Sequence, residues 1–169
     1  MNRIGHLAAG LSLAFFGTAY AADVTLSPGD SIQAAVDASS PGDVITLNPG
    51  TYYQSGINLS GKEISIVGTL DVNGFPDSTI DAERQSNIFV ISNSSVPILI
   101  KDLVVTKGGN VQNGGAMRVS GSANVTIDGC WIIDNEASFG GCGIDIYQGG
   151  GNHVITGCRF VDNQPTGFT

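Results

Sequence analysis

Short runs of β-branched and apolar residues alternate with polar ones along most of the chain, and they break at Asp-Gly, Gly-Gly and Asn-rich corners. A period of two predicts strands rather than helices. The alternation also repeats. Residues 125–135 read VTIDGCWIIDN and residues 154–163 read VITGCRFVDN, an offset of 28 between Gly129 and Gly157. Cys130 then matches Cys158, Trp131 matches Arg159, Ile132 matches Phe160, Asp134 matches Asp162 and Asn135 matches Asn163. A fainter copy, IKDLVVTK at residues 100–107, places Leu103 27 residues before Cys130, and MRV at 117–119 precedes IDI at 144–146 by the same 27. A fixed period of this size marks stacked turns rather than one globular core. No stretch between the copies is long or periodic enough for a helix, which removes leucine-rich and βαβ layouts. Each strand therefore pairs with its copy one turn later, about 4.8 Å away, in an all-β, right-handed parallel β-helix. Met117, Val119, Ile127, Cys130 and Ile132 are expected to point inward, as are Ile144, Ile146, Cys158 and Phe160 one turn later.

Nearer the start, residues 30–38 (DSIQAAVDA) are the one good helix candidate. Asp30 is the expected cap, Gln33 has the spacing of a capping box, and Ile32, Ala35 and Val36 share one face. A stack of strands exposes a sticky end, and a short amphipathic helix there serves as a lid. Pro41-Gly42 turns the chain into a strand at residues 43–47, and Asn48-Pro49-Gly50 turns it again before residues 51–53. Residues 87–92 predict another strand, with Ile88, Phe89 and Val90 buried. At the other end, residues 164–169 supply no helix or charged edge to cover the last turn. The expectation is that residues 22–169 are the front part of a longer β-helix, or that this end self-associates with a second chain.

Residues 1–21 change the picture of where the protein works. Arg3 supplies a basic start, residues 7–16 an apolar stretch, and Ala19-Tyr20-Ala21 an A-x-A cleavage site. This predicts a signal peptide, since the apolar stretch is shorter than the roughly 18–20 residues that span a bilayer. The destination is secreted, periplasmic or cell-surface. Loss of residues 1–21 leaves six basic against fifteen acidic residues, a formal charge of −9. Nucleic acid and anionic membrane both require a basic face, so neither is an expected partner. Nothing in the mature chain is apolar enough to span a membrane.

The run GDSIQAAVDASSPGDVITLNPGTYYQSGINLSGKEISIVGT at residues 29–69 resembles the N-terminal cap and first coil of pectin-lyase-like right-handed β-helix proteins. GGAMRV, GGCGIDI and the two Cys-containing repeats resemble the short repeats of secreted β-helix proteins and polymorphic outer-membrane adhesins. The resemblance covers nearly all of the mature chain. It implies an exported β-helix that presents a binding surface to a polysaccharide or cell-surface ligand. The alternative it implies is a polysaccharide lyase of the pectate-lyase kind.

In enzymes of that family the cleft lies on one sheet face, which here corresponds to residues 114–119 and 141–148. Its outward residues are Arg118 on one turn, then Asp145 and Tyr147 on the next, with Asn135 and Glu136 on the approach. For a lyase, Arg118 is the residue type that removes a proton beside a carboxyl group, and Asp145 is the second catalytic candidate. The plainer reading is a cross-strand ion pair between Arg118 and Asp145. A glycoside hydrolase would need two grouped carboxylates, and a convincing second pair is absent from the sequence. Calcium is the one cofactor suggested: Asp71, Asn73, Asp77 and Asp81 occupy one Asx-rich loop, although an EF-hand would want an oxygen ligand where Phe75 stands. Ordinary turn chemistry accounts for the same residues.

Trp131 stacked on Arg159 could hold a sugar ring, or be covered by the guanidinium. The three cysteines include no C-x-x-C pair, so zinc is not indicated. Cys130 and Cys158, stacked on adjacent turns, fit either a disulfide or two buried free thiols.

Overall fold

The computed structural model describes residues 22–167, so the expected signal peptide lies outside the described residues. The chain winds through a repeating set of short strands. β1 (Asp23–Leu26) precedes helix α1 (Ile32–Ala38). The first full turn follows as β2 (Val44–Leu47), β3 (Gly50–Tyr53) and β4 (Ile57–Asn58). The second is β5 (Ser65–Val67), β6 (Ser78–Asp81) and β7 (Phe89–Ser92), and the third is β8 (Pro97–Lys101), β9 (Leu103–Thr106) and β10 (Met117–Ser120). The fourth adds a short strand: β11 (Asn124–Asp128), β12 (Trp131–Ile133), β13 (Glu136–Ala137) and β14 (Ile144–Tyr147). A partial fifth turn holds β15 (His153–Thr156), β16 (Arg159–Val161) and β17 (Gln164–Pro165).

Each strand pairs in parallel with its counterpart one turn on, giving three long sheets: β1-β2-β5-β8-β11-β15, β3-β6-β9-β12-β16 and β4-β7-β10-β14. The expected parallel β-helix is therefore what forms. Register explains why the sequence period was visible. Trp131, Ile132 and Ile133 stand opposite Arg159, Phe160 and Val161, and Met117, Arg118 and Val119 stand opposite Ile144, Asp145 and Ile146.

The core is a set of side-chain columns running along the stack. One is Tyr52, Ile80, Val105 and Ile132, all buried; another is Ile45, Ile66, Ile100 and Ile127. Tyr52 keeps its hydroxyl inside by donating to Leu26 O at 2.7 Å and Asn48 O at 3.1 Å. The corners between strands use left-handed backbone. Asp102, Lys107, Asp134 and Asp162 all have φ near +53°, and Gly129 and Gly157 have φ near +62°. Asp and Gly tolerate this region better than most residues, which is why the corners are rich in them.

Four expectations need correction. The helix begins at Ile32 and its cap is Ser31, whose hydroxyl accepts from Ala34 N at 3.1 Å. Asp30 instead accepts from Ser27 N, and Gln33 reaches Asp37 and the Asn58 amide, so no capping box forms. Asp43 precedes its strand and holds the turn before it, accepting from Ser40 N at 2.8 Å. In β7 the inward pair is Phe89 and Ile91, with Ile88 buried at the corner, while Val90 faces outward and is half-buried. Finally, Phe160 and Ile146 continue inward columns but are 49% and 40% exposed, because burial in a column comes from the next turn. The lid works as expected at the N-terminal end, where Ile32 and Val36 are buried and Ala35 packs on the core.

Candidate functional site

Strands β10 and β14 lie side by side on the third sheet, and the expected neighbours Arg118 and Asp145 are register partners there. Both are reached through glycine corners. A Cβ on Gly114 would come within 2.4 Å of Met117 O, and one on Gly141 within 2.1 Å of Ile144 O. The Gly-Gly pairs that open GGAMRV and GGCGIDI therefore let the backbone fold tightly against the start of each strand. They also leave the approach bare. Asp145 uses that space, since a Cβ on Gly140 would lie 3.2 Å from Asp145 Oδ1.

The expected ion pair is not formed. Among the described residues, the acid–base contacts within 4 Å involve Arg84, Lys101 and Lys107, and Arg118 bonds to no carboxylate. Arg118 and Asp145 thus sit half-buried on one face with unneutralised charge. Tyr147, next on the same face, is 55% exposed, and it stands opposite Ser120, whose hydroxyl lies 2.9 Å from that of Ser92. The face presents a guanidinium, a carboxylate, a phenol ring and a row of hydroxyls. Phe139, at the corner leading into β14, is 75% exposed. A lone Phe in a Ser/Gly stretch carries no periodic signal, which is why it does not stand out from the pattern of the chain.

Two of the expected ligand residues belong elsewhere. Asn135 is fully buried. Its Oδ1 accepts from Gly108 N at 2.8 Å, and its amide donates to Val105 O, Ile133 O and Asn163 Oδ1 at 2.9–3.1 Å. Every polar atom of the side chain is used, so it holds a corner and cannot reach a ligand. Glu136 lies near Gly115 through its backbone, but its carboxylate turns to Arg84 at 3.1 Å.

That contact belongs to a second cluster, on the outside of the second sheet. Glu83 and Arg84 form a turn with φ of 49° and 58°, closed by Gln85 N donating to Ala82 O. From it Arg84 crosses to the fourth turn and bonds Asp134 Oδ1 at 2.7 Å. Lys107 donates to Asp81 Oδ2 at 2.6 Å. This side-chain bond, and then the Asp81 charge, hold the Lys107 amine above its ordinary range, against a smaller opposing effect of burial. Asp134 is therefore neutralised by Arg84 rather than left stacked on Asp162.

Trp131 lies nearby with both expected and unexpected company. The Arg159 guanidinium carbon is 5.2 Å from the indole centroid, and the Phe75 ring is 5.4 Å away, tilted by 47°. Phe75 comes from the Asx-rich loop. Its backbone N–H donates to Asp71 Oδ1 at 2.8 Å, as does that of Asn73 at 2.9 Å. These bonds hold the Asp71 carboxyl below its ordinary range, the Phe75 amide most of all. Asp71 is thus a turn-former, and Asp81 spends both oxygens on Lys107 and Glu83 N. No group of three or more His, Cys, Asp or Glu suited to a metal occurs among the described residues.

All three cysteines are free, so stacked thiols form rather than a disulfide. Cys130 is buried and donates to Asp128 O at 3.4 Å or Ile100 O at 3.6 Å; the neighbouring Cys158 thiol, followed by burial, raises the Cys130 thiol strongly. Cys158, half-buried beside it, is lowered by the same neighbour.

No family model, characterised protein or solved structure matches the chain.

Proposed function

We propose that this chain is an exported β-helix module that binds an acidic polysaccharide on the outer face of its third sheet. The observation that carries the reading is the pair Arg118 and Asp145, adjacent in register yet unbonded, beside exposed Tyr147. The chain is acidic overall, so the attraction to a uronate is local rather than a field of the whole face: the unneutralised guanidinium suits one carboxylate because its planar donors match two oxygens at once. Asp145 and the Ser92–Ser120 hydroxyls supply partners for sugar hydroxyls, and Tyr147 supplies an apolar ring for a sugar face. The resemblance of the repeats to secreted pectin-lyase-like β-helices supports the same ligand class, and the leader-like residues 1–21 support export.

Affinity electrophoresis of the full exported chain through polygalacturonate tests this. The expected result is retardation by polygalacturonate and not by a neutral glucan, abolished in Arg118→Ala and weakened in Tyr147→Ala. Equal migration in both gels, or unchanged retardation of Arg118→Ala, would overturn it.

The lyase reading rests on the same free Arg118, positioned without a carboxylate to hold it. It requires a proton to be taken from the carbon beside the uronate carboxyl. Unsaturated products from polygalacturonate, with or without added calcium, that vanish in Arg118→Ala would favour catalysis over binding alone.

A further inference from the structure

The amino-terminal end of the stack holds a buried carboxylate with no cation beside it among the described residues. Asp43 is 6% exposed, and its oxygens accept two backbone N–H groups: Ala22 at 2.7 Å and Ser40 at 2.8 Å. Those bonds hold its carboxyl below the ordinary range, the Ala22 bond most of all, so it carries its charge at neutral pH. Among the described residues, no Lys, Arg or His side-chain nitrogen lies within 4 Å of its oxygens. A buried charge without a counter-charge is costly and is normally matched. The nearest donor, Ala22, is the residue that follows the A-x-A site.

We infer that Asp43 is the receptor for the mature amino terminus: removal of the leader turns the Ala22 N–H into an α-ammonium that ion-pairs with this carboxylate. The inference rests on the export reading above. Hydrolysis by a membrane-bound signal peptidase places the hydroxyl of water on the Ala21 carbonyl carbon and its proton on the Ala22 nitrogen. The freed amine then takes a second proton from solvent. Nothing else needs to move, because the nitrogen already lies at charge-assisted hydrogen-bond distance. A cavity of about 440 Å³ lies elsewhere on the first sheet, but the one of about 300 Å³ adjoins this site. It is lined by Ala22, Ala35, Ala38, Ser39, Ser40 and Asp43, which leaves room for the extra protons beneath the end of α1. Ala22 O also accepts from Val44 N at 3.3 Å, so the terminus is held where β1 joins β2. Processing and closure of the cap are thereby coupled: the uncleaved chain has only a neutral donor at this carboxylate.

The signs fix the pH window. The α-amine, raised by its partner, stabilises the fold fully below its unfolded value of about 8 and loses that contribution as pH rises through the folded value. Asp43, lowered in the fold, stabilises above its unfolded value near 4 and loses that contribution as pH falls through the folded value.

The test begins with N-terminal sequencing of the exported protein, expressed as the full chain. NMR titration of its α-amine follows, in wild type and in Asp43→Asn. Thermal unfolding is then compared before and after selective acetylation of the α-amine. The expected results are a chain beginning at Ala22, an α-amine titrating above about 9 in wild type and near 8 in Asp43→Asn, and a lower Tm on acetylation at pH 7. That loss of Tm should disappear in Asp43→Asn. If Asp43→Asn does not fold, the wild-type titration and acetylation still decide. A chain that begins elsewhere overturns the export reading and this inference together. A chain that begins at Ala22 with an ordinary α-amine, or with no loss on acetylation, overturns this inference alone.

Discussion

On the outside of the second sheet, Arg84 holds Asp134 and Glu136, Lys107 holds Asp81, and Trp131 is covered by Arg159 and Phe75. On the outside of the third sheet, Arg118 and Asp145 stand opposite one another without bonding, and Tyr147 lies open. The two faces share one scaffold and similar residue types, but one is satisfied internally and the other is not. Part of the reason is where the charges sit. Arg84 and Lys107 occupy left-handed corner positions, from which a long side chain runs along the stack to another turn. Arg118 and Asp145 sit within strands, and Asp145 leans over the bare Gly140 corner. Register makes two side chains neighbours without obliging them to pair. Lys101 and Asp128 are also register partners, on the first sheet, and they do bond. The unsatisfied face is the one with interactions left to offer.

The comparison can be broken by mutation, and the largest effect belongs at the boundary between the faces. Asn135→Ala should cost about 2–4 kcal/mol, because it removes the side-chain partner of buried Gly108 N and of the Val105 and Ile133 carbonyls, while Asn163 Oδ1 keeps the Asn135 backbone N–H. Urea unfolding measures this. A cost below about 1 kcal/mol would return Asn135 to the set of ligand candidates.

Next comes the contrast between the faces themselves. Asp81 is buried, and Asp81→Ala leaves Glu83 N without its partner, for an expected loss of about 1–3 kcal/mol. Arg118→Ala should lie within about 0.5 kcal/mol of wild type, since it breaks no bond in the fold. Arg84→Ala falls between them at about 0.5–1 kcal/mol, and the difference should shrink in 1 M salt because the pair is part-exposed. Similar losses for Arg118→Ala and Asp81→Ala would erase the distinction.

A smaller effect follows from Lys107. Its amine is raised in the fold by Asp81, so the stability it contributes is present below the unfolded lysine value of about 10.4 and is lost as pH rises through the folded value. The Tm gap between wild type and Lys107→Met should therefore close in strongly alkaline buffer. A gap that stays constant with pH would mean that the pair acts through packing alone.

How much of this was legible beforehand depends on the kind of signal. The 27–28 residue offset fixed the pairing of Cys130 with Cys158 and of Arg118 with Asp145, because identical turns stack with side chains in register. It carried no information about contacts that cross turns at unequal spacing. Arg84 reaches Asp134 over 50 residues, and Phe75 folds back on Trp131 from a loop that belongs to no repeat. Alternation alone misplaces the inward residues of β7, because Ile88 and Phe89 are both buried, one at a corner and one on the strand. The exposure of Phe160 was equally hidden: its column was readable, but its cover depends on a neighbouring turn rather than on its own sequence.

The contrast between a satisfied and an open face is tested most directly by residue-resolved NMR of the full chain titrated with an oligogalacturonide. Saturable shifts are expected for the amides of Met117–Ser120 and Ile144–Tyr147, strongest at Arg118 and Tyr147. Those of Trp131–Ile133 and Arg159–Val161 should stay in place. Shifts centred on Trp131 and Arg159, with the third sheet silent, would contradict the account.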